Sequence, residues 1–345
     1  MQPENSNRYA VRVVLSVLAS MFMALTVAAA PAKPAAPTPA PIDADKFFAA
    51  IVKVQAHAVP GARSSASLGE EREGTGVVIG EHGLILTIGY LIVEADQVDI
   101  TDAQGRVLPA TVVAYDHASG LALVRPIPRF EPAPLRMGDS GKLSERDPVL
   151  VVTHEGREGS TPAFVVAKRP FTGNWEYMLE EAIFTSPPSP NWSGAALIGK
   201  DGALLGVGSL IVRDALGGES QLPGNMFVPI DALKPILADM VKDGHRAGPA
   251  RPWLGVAADE VQGRLMVTRV SPDSPADKAG LQTGDLILAV AGEPVHSQAE
   301  FYHKLWSQGA AGSEIPLKLL QGVDVRELKV QSIDRVDYFR PKTTY

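Results

Sequence analysis

Beyond residue 55 and as far as residue 212 the chain is a succession of short apolar runs broken by glycine-containing turns. The runs 76–79 and 84–87 flank Glu81-His82-Gly83, and the runs 98–100 and 107–115 flank Asp102-Ala103-Gln104-Gly105. Residues 121–124 form another run, and the pattern resumes after the proline-rich stretch 126–134 at 149–153, 163–168, 182–185, 195–198 and 204–212. Short strands at this spacing predict paired antiparallel barrels or sandwiches. Residues 45–55 read equally as a short helix or a first strand. Leu233, Ile236, Leu237, Met240 and Val241 recur at helical spacing, with Asp231 placed as an N-cap and Gly244 as a stop.

The last segment follows a different pattern. Ser274-Pro275 opens a short helix that Gly280 closes, and Gly284-Asp285 turns into a strand over 286–290. Ser297-Gln298-Ala299-Glu300 is a capping box, in which serine and glutamate satisfy each other's amides. It starts a helix that carries Phe301 and Leu305 on one face and ends at Gly309. Residues 315–320 and 325–330 read as closing strands.

The N-terminus differs again. Arg8 and Arg12 precede an apolar run over 13–30 that ends in small residues, the form of a secretory signal. The run is also close to the ~18 residues an uncleaved anchor needs to span a bilayer. Either reading exports the body of the protein. A Pro/Ala-rich tether covers 31–41. The expected organisation is then 1–30 signal or anchor, 31–41 linker, 42–244 first globular domain, 245–252 linker, 253–335 second domain and 336–345 tail.

Composition removes several functions. Net charge is −7, with no basic block of the kind that binds nucleic acid. The chain has no cysteine, which excludes disulfides and thiolate metal sites. Its seven histidines form no H-x-x-x-H pair, so no metal or other cofactor is expected.

Gly74-Thr75-Gly76-Val77-Val78-Ile79, Gly83-Leu84-Ile85-Leu86-Thr87 and Val93-Glu94-Ala95-Asp96 stand in the first domain. Trp253-Leu254-Gly255-Val256, Ser274-Pro275-Ala276, Ala279-Gly280-Leu281 and Gly284-Asp285-Leu286-Ile287 stand in the second. In this order and spacing they resemble the HtrA/Deg family of trypsin-like serine proteases over roughly 70–335. The resemblance implies a mostly β fold: a chymotrypsin/trypsin-like double β-barrel followed by an α+β PDZ domain.

A serine hydrolase needs a nucleophilic hydroxyl, a base and an orienting carboxylate. In Leu86-Thr87-Ile88-Gly89-Tyr90 the family's histidine position holds Tyr90, and in Ser119-Gly120-Leu121-Ala122-Leu123 the carboxylate position holds Gly120. Asn191-Trp192-Ser193-Gly194 keeps Ser193 at the nucleophile position. The resemblance places the oxyanion-hole amides at Asn191 and Ser193, with Trp192 able to fill the specificity cleft. A phenol with an ordinary pKa near 10 is a poor proton acceptor at neutral pH. Substitute bases are His57, His82, His117 and His154, or Lys168 and Lys200; His82 and His117 read as surface-turn residues and both lysines as solvated charges. Ser193 itself reads as a small polar residue suited to a tight turn.

In the PDZ-like domain the resemblance makes Trp253-Leu254-Gly255-Val256 a carboxylate-binding loop. The peptide groove would lie between Ala257-Ala258 and the helix carrying the pocket candidates Phe301 and Leu305. Arg251 stands beside it, either attracting a carboxylate or as an exposed linker residue. Three functions compete. The first is a non-catalytic adaptor, scaffold or regulator in envelope quality control that binds C-terminal or unfolded peptide segments. The second is an endopeptidase using Ser193 with a non-standard base. The third is a non-catalytic partner subunit in a homo- or hetero-trimer with active relatives. The expected location is the periplasm, or the inner membrane facing it, with membrane contact only through the N-terminal segment.

Overall fold

The computed structural model describes residues 44–339. The signal or anchor, the whole tether and the end of the tail lie outside the described residues, and among those described no helix is long and apolar enough to cross a membrane.

The open question at 45–55 resolves into both elements: α1 (Ala44–Ala49) leads directly into β1 (Ile51–Ala58). β2 (Glu71–Gly80), β3 (Leu84–Ile88), β4 (Ala95–Thr101), β5 (Val107–Asp116) and β6 (Leu121–Pro126) close a barrel with β1 in the order β1-β2-β3-β6-β5-β4. A second barrel comprises β7 (Pro148–Val152), β8 (Ser160–Gly173), β9 (Tyr177–Ser186), β10 (Ala196–Ile198), β11 (Leu204–Val212) and β12 (Gly224–Pro229). Its order, β10-β11-β12-β9-β8-β7, is the same cycle shifted by six strands, so the two barrels share one topology. Closure removes the exposed edges that short β-branched strands would otherwise present. α2 (Ser65–Leu68) crosses the connection between β1 and β2.

The helix expected from Leu233 is shorter than its apolar periodicity suggested. Residues Ile230–Ala232 form a 3-10 turn, and α3 runs Leu237–Asp243. Asp231 does not cap it; its carboxylate accepts from the Gly141 amide at 2.8 Å. Gly244 does end the helix, with φ of 80° and its amide on the Met240 carbonyl.

The C-terminal domain is a sheet ordered β13 (Val256–Val261), β14 (Arg264–Val270), β15 (Leu286–Val290), β17 (Glu314–Gln321) and β18 (Asp324–Gln331), with β16 (Glu293–Pro294) against β15. α4 (Pro275–Lys278), α5 (Gln298–Ser307) and α6 (Arg335–Tyr338) complete it. β17 shows the period-2 rule plainly: Ile315, Leu317 and Leu319 are buried while Glu314, Pro316 and Lys318 face out. The α5 cap departs from the reciprocal box. Ser297 accepts from the Glu300 amide, but the Glu300 carboxylate reaches one residue further, to the His296 amide at 2.9 Å.

Candidate functional site

The three positions that the resemblance assigns to the triad lie near one another between the barrels. Tyr90 lies in the turn Gly89–Leu91 after β3, Gly120 lies between β5 and β6, and Ser193 precedes β10. Gly89 is required at its position, because a Cβ there would enter the Tyr115 ring. The turn is held from below by Arg72, a buried residue that sequence pattern did not single out. Its guanidinium donates to the Tyr90 and Val93 carbonyls at 3.2 and 2.5 Å, to the Gly69 carbonyl and to the Ser64 hydroxyl. Burying an arginine is tolerable only when its donors are this fully used.

The Tyr90 hydroxyl lies 2.9 Å from Ser193 Oγ and 2.9 Å from the Ser209 carbonyl oxygen. It has one proton for these two contacts, and the carbonyl can only accept. Burial pushes the Tyr90 phenol up to about 12, with hydrogen bonds to the Ser193 and Trp192 side chains opposing the rise. The group facing Ser193 is therefore a neutral phenol, which orders the serine hydroxyl without being able to take its proton.

Gly120 has φ of 75°, its amide donates to the Asp116 carbonyl, and its carbonyl accepts from the Gly89 amide at 2.7 Å. A Cβ at Gly120 would stand 3.1 Å from the Tyr177 hydroxyl. Tyr177 donates to the Ser119 carbonyl at 2.7 Å, so a phenol fills the space beside the carboxylate position. Asp116, four residues upstream, is committed elsewhere. Its two oxygens accept Arg246 Nε and a second guanidinium nitrogen at 2.6 and 2.5 Å, and also the Ser119 amide and hydroxyl. Burial acts to raise the Asp116 carboxyl, and the Arg246 and Ser119 hydrogen bonds outweigh it and hold it below its usual value.

The nucleophile loop is tightly built. Thr75 donates to the Ser193 carbonyl at 2.8 Å, Gly194 to the Gly208 carbonyl and Ala195 to the Trp192 carbonyl. Gly194 has φ of 72°, and a Cβ there would collide with the Thr75 carbonyl. Asn225 is buried and brackets Ser189, accepting its amide and donating to its carbonyl. Asn191 on this loop is exposed and Trp192 is half-buried.

Among the described residues no histidine or lysine reaches Ser193 Oγ. His57 pairs with Glu71 and His154 faces Thr75 and Glu73. Lys168 reaches the Gly141 carbonyl and Glu181, and Lys200 is exposed. His82 is exposed in its turn, as expected. His117 lies in the expected turn but is half-buried. Its ring lies 4.1 Å from Tyr115 and stacks on Phe339 at 5.7 Å, and its Nδ1 is buried without a hydrogen-bond partner. Burial there pushes the imidazole down to about 3, so it is neutral in the folded protein. The unfolded chain takes up this proton near the ordinary histidine value of ~6.5. A folded value depressed below the unfolded one gives stability that is present above pH ~6.5 and lost progressively as pH falls towards the folded value. The melting temperature is expected to decline below about pH 6.5, and His117→Phe is expected to flatten that decline in a pH series of thermal melts.

In the C-terminal domain Trp253, Leu254, Val256, Ala257 and Ala258 are buried, and Phe301 and Leu305 are fully buried in the domain's own core. Arg251 is exposed and stacks over Trp306 at 4.3 Å. Gly255 has φ of 87° and no room for a Cβ against Ser274. The loop carries a contact that no motif announced. Glu176, at the tip of the β8–β9 hairpin, accepts from the amides of Leu254, Gly255 and Val256 at 3.0, 2.6 and 2.8 Å. Burial pushes its carboxyl up to about 7 against the pull of these three amides. Met178, two residues on, packs into the core of the C-terminal domain.

Comparison with known proteins agrees with this architecture. The trypsin-like peptidase domain family matches residues 74–207 and the PDZ domain family matches residues 252–331. The serine endoprotease DegS of Escherichia coli K12 is 26% identical over 286 residues, covering 75% of this chain and 75% of DegS. A probable periplasmic DegP-like serine endoprotease of Pseudomonas putida W619 is 28% identical over 277 residues, covering 76% of this chain and 54% of the relative. The solved structure of the HtrA-type protease AlgW with a decapeptide superposes with a TM-score of 0.52 at 19% identity, covering 86% of this chain and 97% of that one, and supports the fold. Two barrels of one topology followed by a six-strand sheet, together with the two family matches and the DegS and DegP relatives, make this chain a trypsin-like peptidase domain with one PDZ domain, homologous to the DegS and DegP proteases of the HtrA family.

Proposed function

We propose that this chain is an exported, non-catalytic member of the family that binds peptide segments of envelope proteins through its PDZ domain, as an adaptor, scaffold or regulator of protein quality control. The carrying observation is the hydrogen bond between the Tyr90 phenol and the Ser193 hydroxyl, where the resemblance puts the base, with Gly120 where it puts the carboxylate. Acyl transfer needs a group that removes the serine proton as the bond forms and returns it to the leaving amine. A phenol held near 12 does neither at neutral pH. The export and peptide-binding parts rest on the apolar N-terminal run, on the periplasmic DegP-like relatives and on the intact carboxylate loop.

The test is an array of peptides with free C-termini, probed at high peptide concentration with the purified protein and with a Glu176→Ala variant. Captured peptides are recovered after prolonged incubation and weighed by mass spectrometry. Capture of a defined set of C-termini, all recovered uncut, is the expected result. Recovery of cleaved fragments, or capture by neither protein, overturns the reading.

A further inference from the structure

We propose that the PDZ groove is occupied from within, the Glu176 side chain acting as a built-in carboxylate ligand that an incoming C-terminus must displace. The inference deepens the peptide-binding reading and rests on it for the identity of the incoming ligand. Three convergent backbone amides form a site for a carboxylate, and in a PDZ domain the carboxylate is that of a peptide C-terminus. Here all three amides are taken by one internal side chain, Oε1 accepting from Gly255 and Val256 and Oε2 from Leu254.

The rest of the hairpin tip is braced across the same groove. Thr172 donates to the Gln298 side chain at 2.8 Å, and Asn174 donates to Asp259 at 3.2 Å. The Tyr302 hydroxyl accepts from the Glu176 amide and donates to the Gly173 carbonyl at 2.7 Å. These contacts reach both walls, β13 through Asp259 and α5 through Gln298 and Tyr302. Glu176 itself has φ of 56°. A side-chain-bearing residue keeps that left-handed conformation where its surroundings over-determine it. The three amide contacts on its carboxylate and the bond from its own amide to Tyr302 surround it.

The hairpin fills the carboxylate position and touches both walls at Asp259, Gln298 and Tyr302, but it does not pair along β13 as a strand. Among the described residues β13 pairs with β14 and is the end strand of its sheet, so no strand lies along its outer edge. The Ala258 carbonyl on that strand accepts from the Gln298 side chain at 2.5 Å. A peptide that supplies its own terminal carboxylate can replace Glu176 at the loop and then pair along β13. A peptide ending in an amide lacks the charge to do so. Apparent affinity is lowered by the fraction of molecules whose loop is open, so removing the internal ligand raises it.

The experiment measures peptide affinity and amide hydrogen exchange for the wild type, Glu176→Ala, Glu176→Gln and the surface control Glu158→Ala, all checked for folding by near-UV circular dichroism. Glu176→Ala is expected to bind a free-carboxylate peptide at least ~10-fold more tightly than wild type, with the amidated peptide binding to neither. The amides of Leu254, Gly255 and Val256 are expected to exchange slowly in wild type and quickly in Glu176→Ala without peptide. Equal exchange in wild type and variant, or equal affinity with Glu158→Ala unchanged, overturns self-occupancy while leaving peptide binding intact. Fast exchange in the variant with no peptide bound by any protein overturns the peptide-binding reading and supports self-occupancy. Glu176→Gln keeps the shape and loses the charge, so its affinity is expected between the other two, and it reports on the loop if the alanine variant fails to fold.

Discussion

No labelling of Ser193 by a serine-directed fluorophosphonate, and no fragments from casein, are expected from the folded protein near neutral pH. Removal of triad members in a well-characterised serine protease costs on the order of 10⁶-fold, and such losses do not add. In this chain the Tyr90 phenol is the partner of Ser193 Oγ, and Gly120 has no side chain to orient any base. Restoring the chemistry by substitution is also obstructed. Tyr90→His places an imidazole over Ser193 with no carboxylate behind it. Gly120→Asp must adopt the φ of 75° that L side chains disfavour and must displace the Tyr177 hydroxyl, 3.1 Å from the new Cβ. The Tyr90→His/Gly120→Asp double variant is therefore expected to stay dark to the probe, and the triple variant with Tyr177→Ala to be the first that labels. Labelling and casein cleavage by the unaltered chain, both lost in Ser193→Ala, would overturn the non-catalytic assignment.

Asp116→Ala is expected to lower stability by about 1–3 kcal/mol, because it leaves the Ser119 donors without their acceptor while the part-exposed Arg246 regains water. Asp116 is buried and Arg246 about one-third exposed, at 4% and 35% of their side-chain surface. Four hydrogen bonds converge on this carboxylate, from Ser119 and from a guanidinium in the connection that leads to the PDZ domain. Arg246→Ala is expected to cost at least as much, because it leaves the buried Asp116 charge with only the two Ser119 donors. The double variant is expected to fall short of the sum, as contacting residues do. Chemical denaturation of the set checks all three. The sign with pH follows from the depressed Asp116 carboxyl: its contribution is complete above the ordinary aspartate value of ~3.9 and is lost as pH falls below it. A set of denaturation midpoints that leaves both Asp116→Ala and Arg246→Ala within about 0.5 kcal/mol of wild type, below the usual cost of an unsatisfied buried polar group, would remove the pair from the stability of the fold.

Much of this was legible from residue order alone. Strand after strand fell where short β-branched runs alternate with glycine turns, because barrel strands bury one face and the pleat has a period of two. Tyr90, Gly120 and Ser193 were placed by motif spacing, and the structure brings Tyr90 within 2.9 Å of Ser193. The carboxylate loop was placed in the same way, since Gly255 and its neighbours form a contiguous segment.

What stayed invisible are the contacts made across long separations. Arg72 beneath Tyr90, Asp116 with Arg246, Tyr177 beside Gly120 and Glu176 in the loop 254–256 are single polar residues whose neighbours in sequence say nothing of their partners. His117 does stand in a turn, as its polarity and position imply, but packing between two aromatic rings takes it partly out of solvent. Local spacing determines which backbone element a residue sits on, because that depends on a few consecutive dihedrals and one buried face. Which polar groups meet, and which of them lose their water, is decided only when the barrels and the PDZ sheet pack, since burial and hydrogen-bond partners are properties of the assembled core.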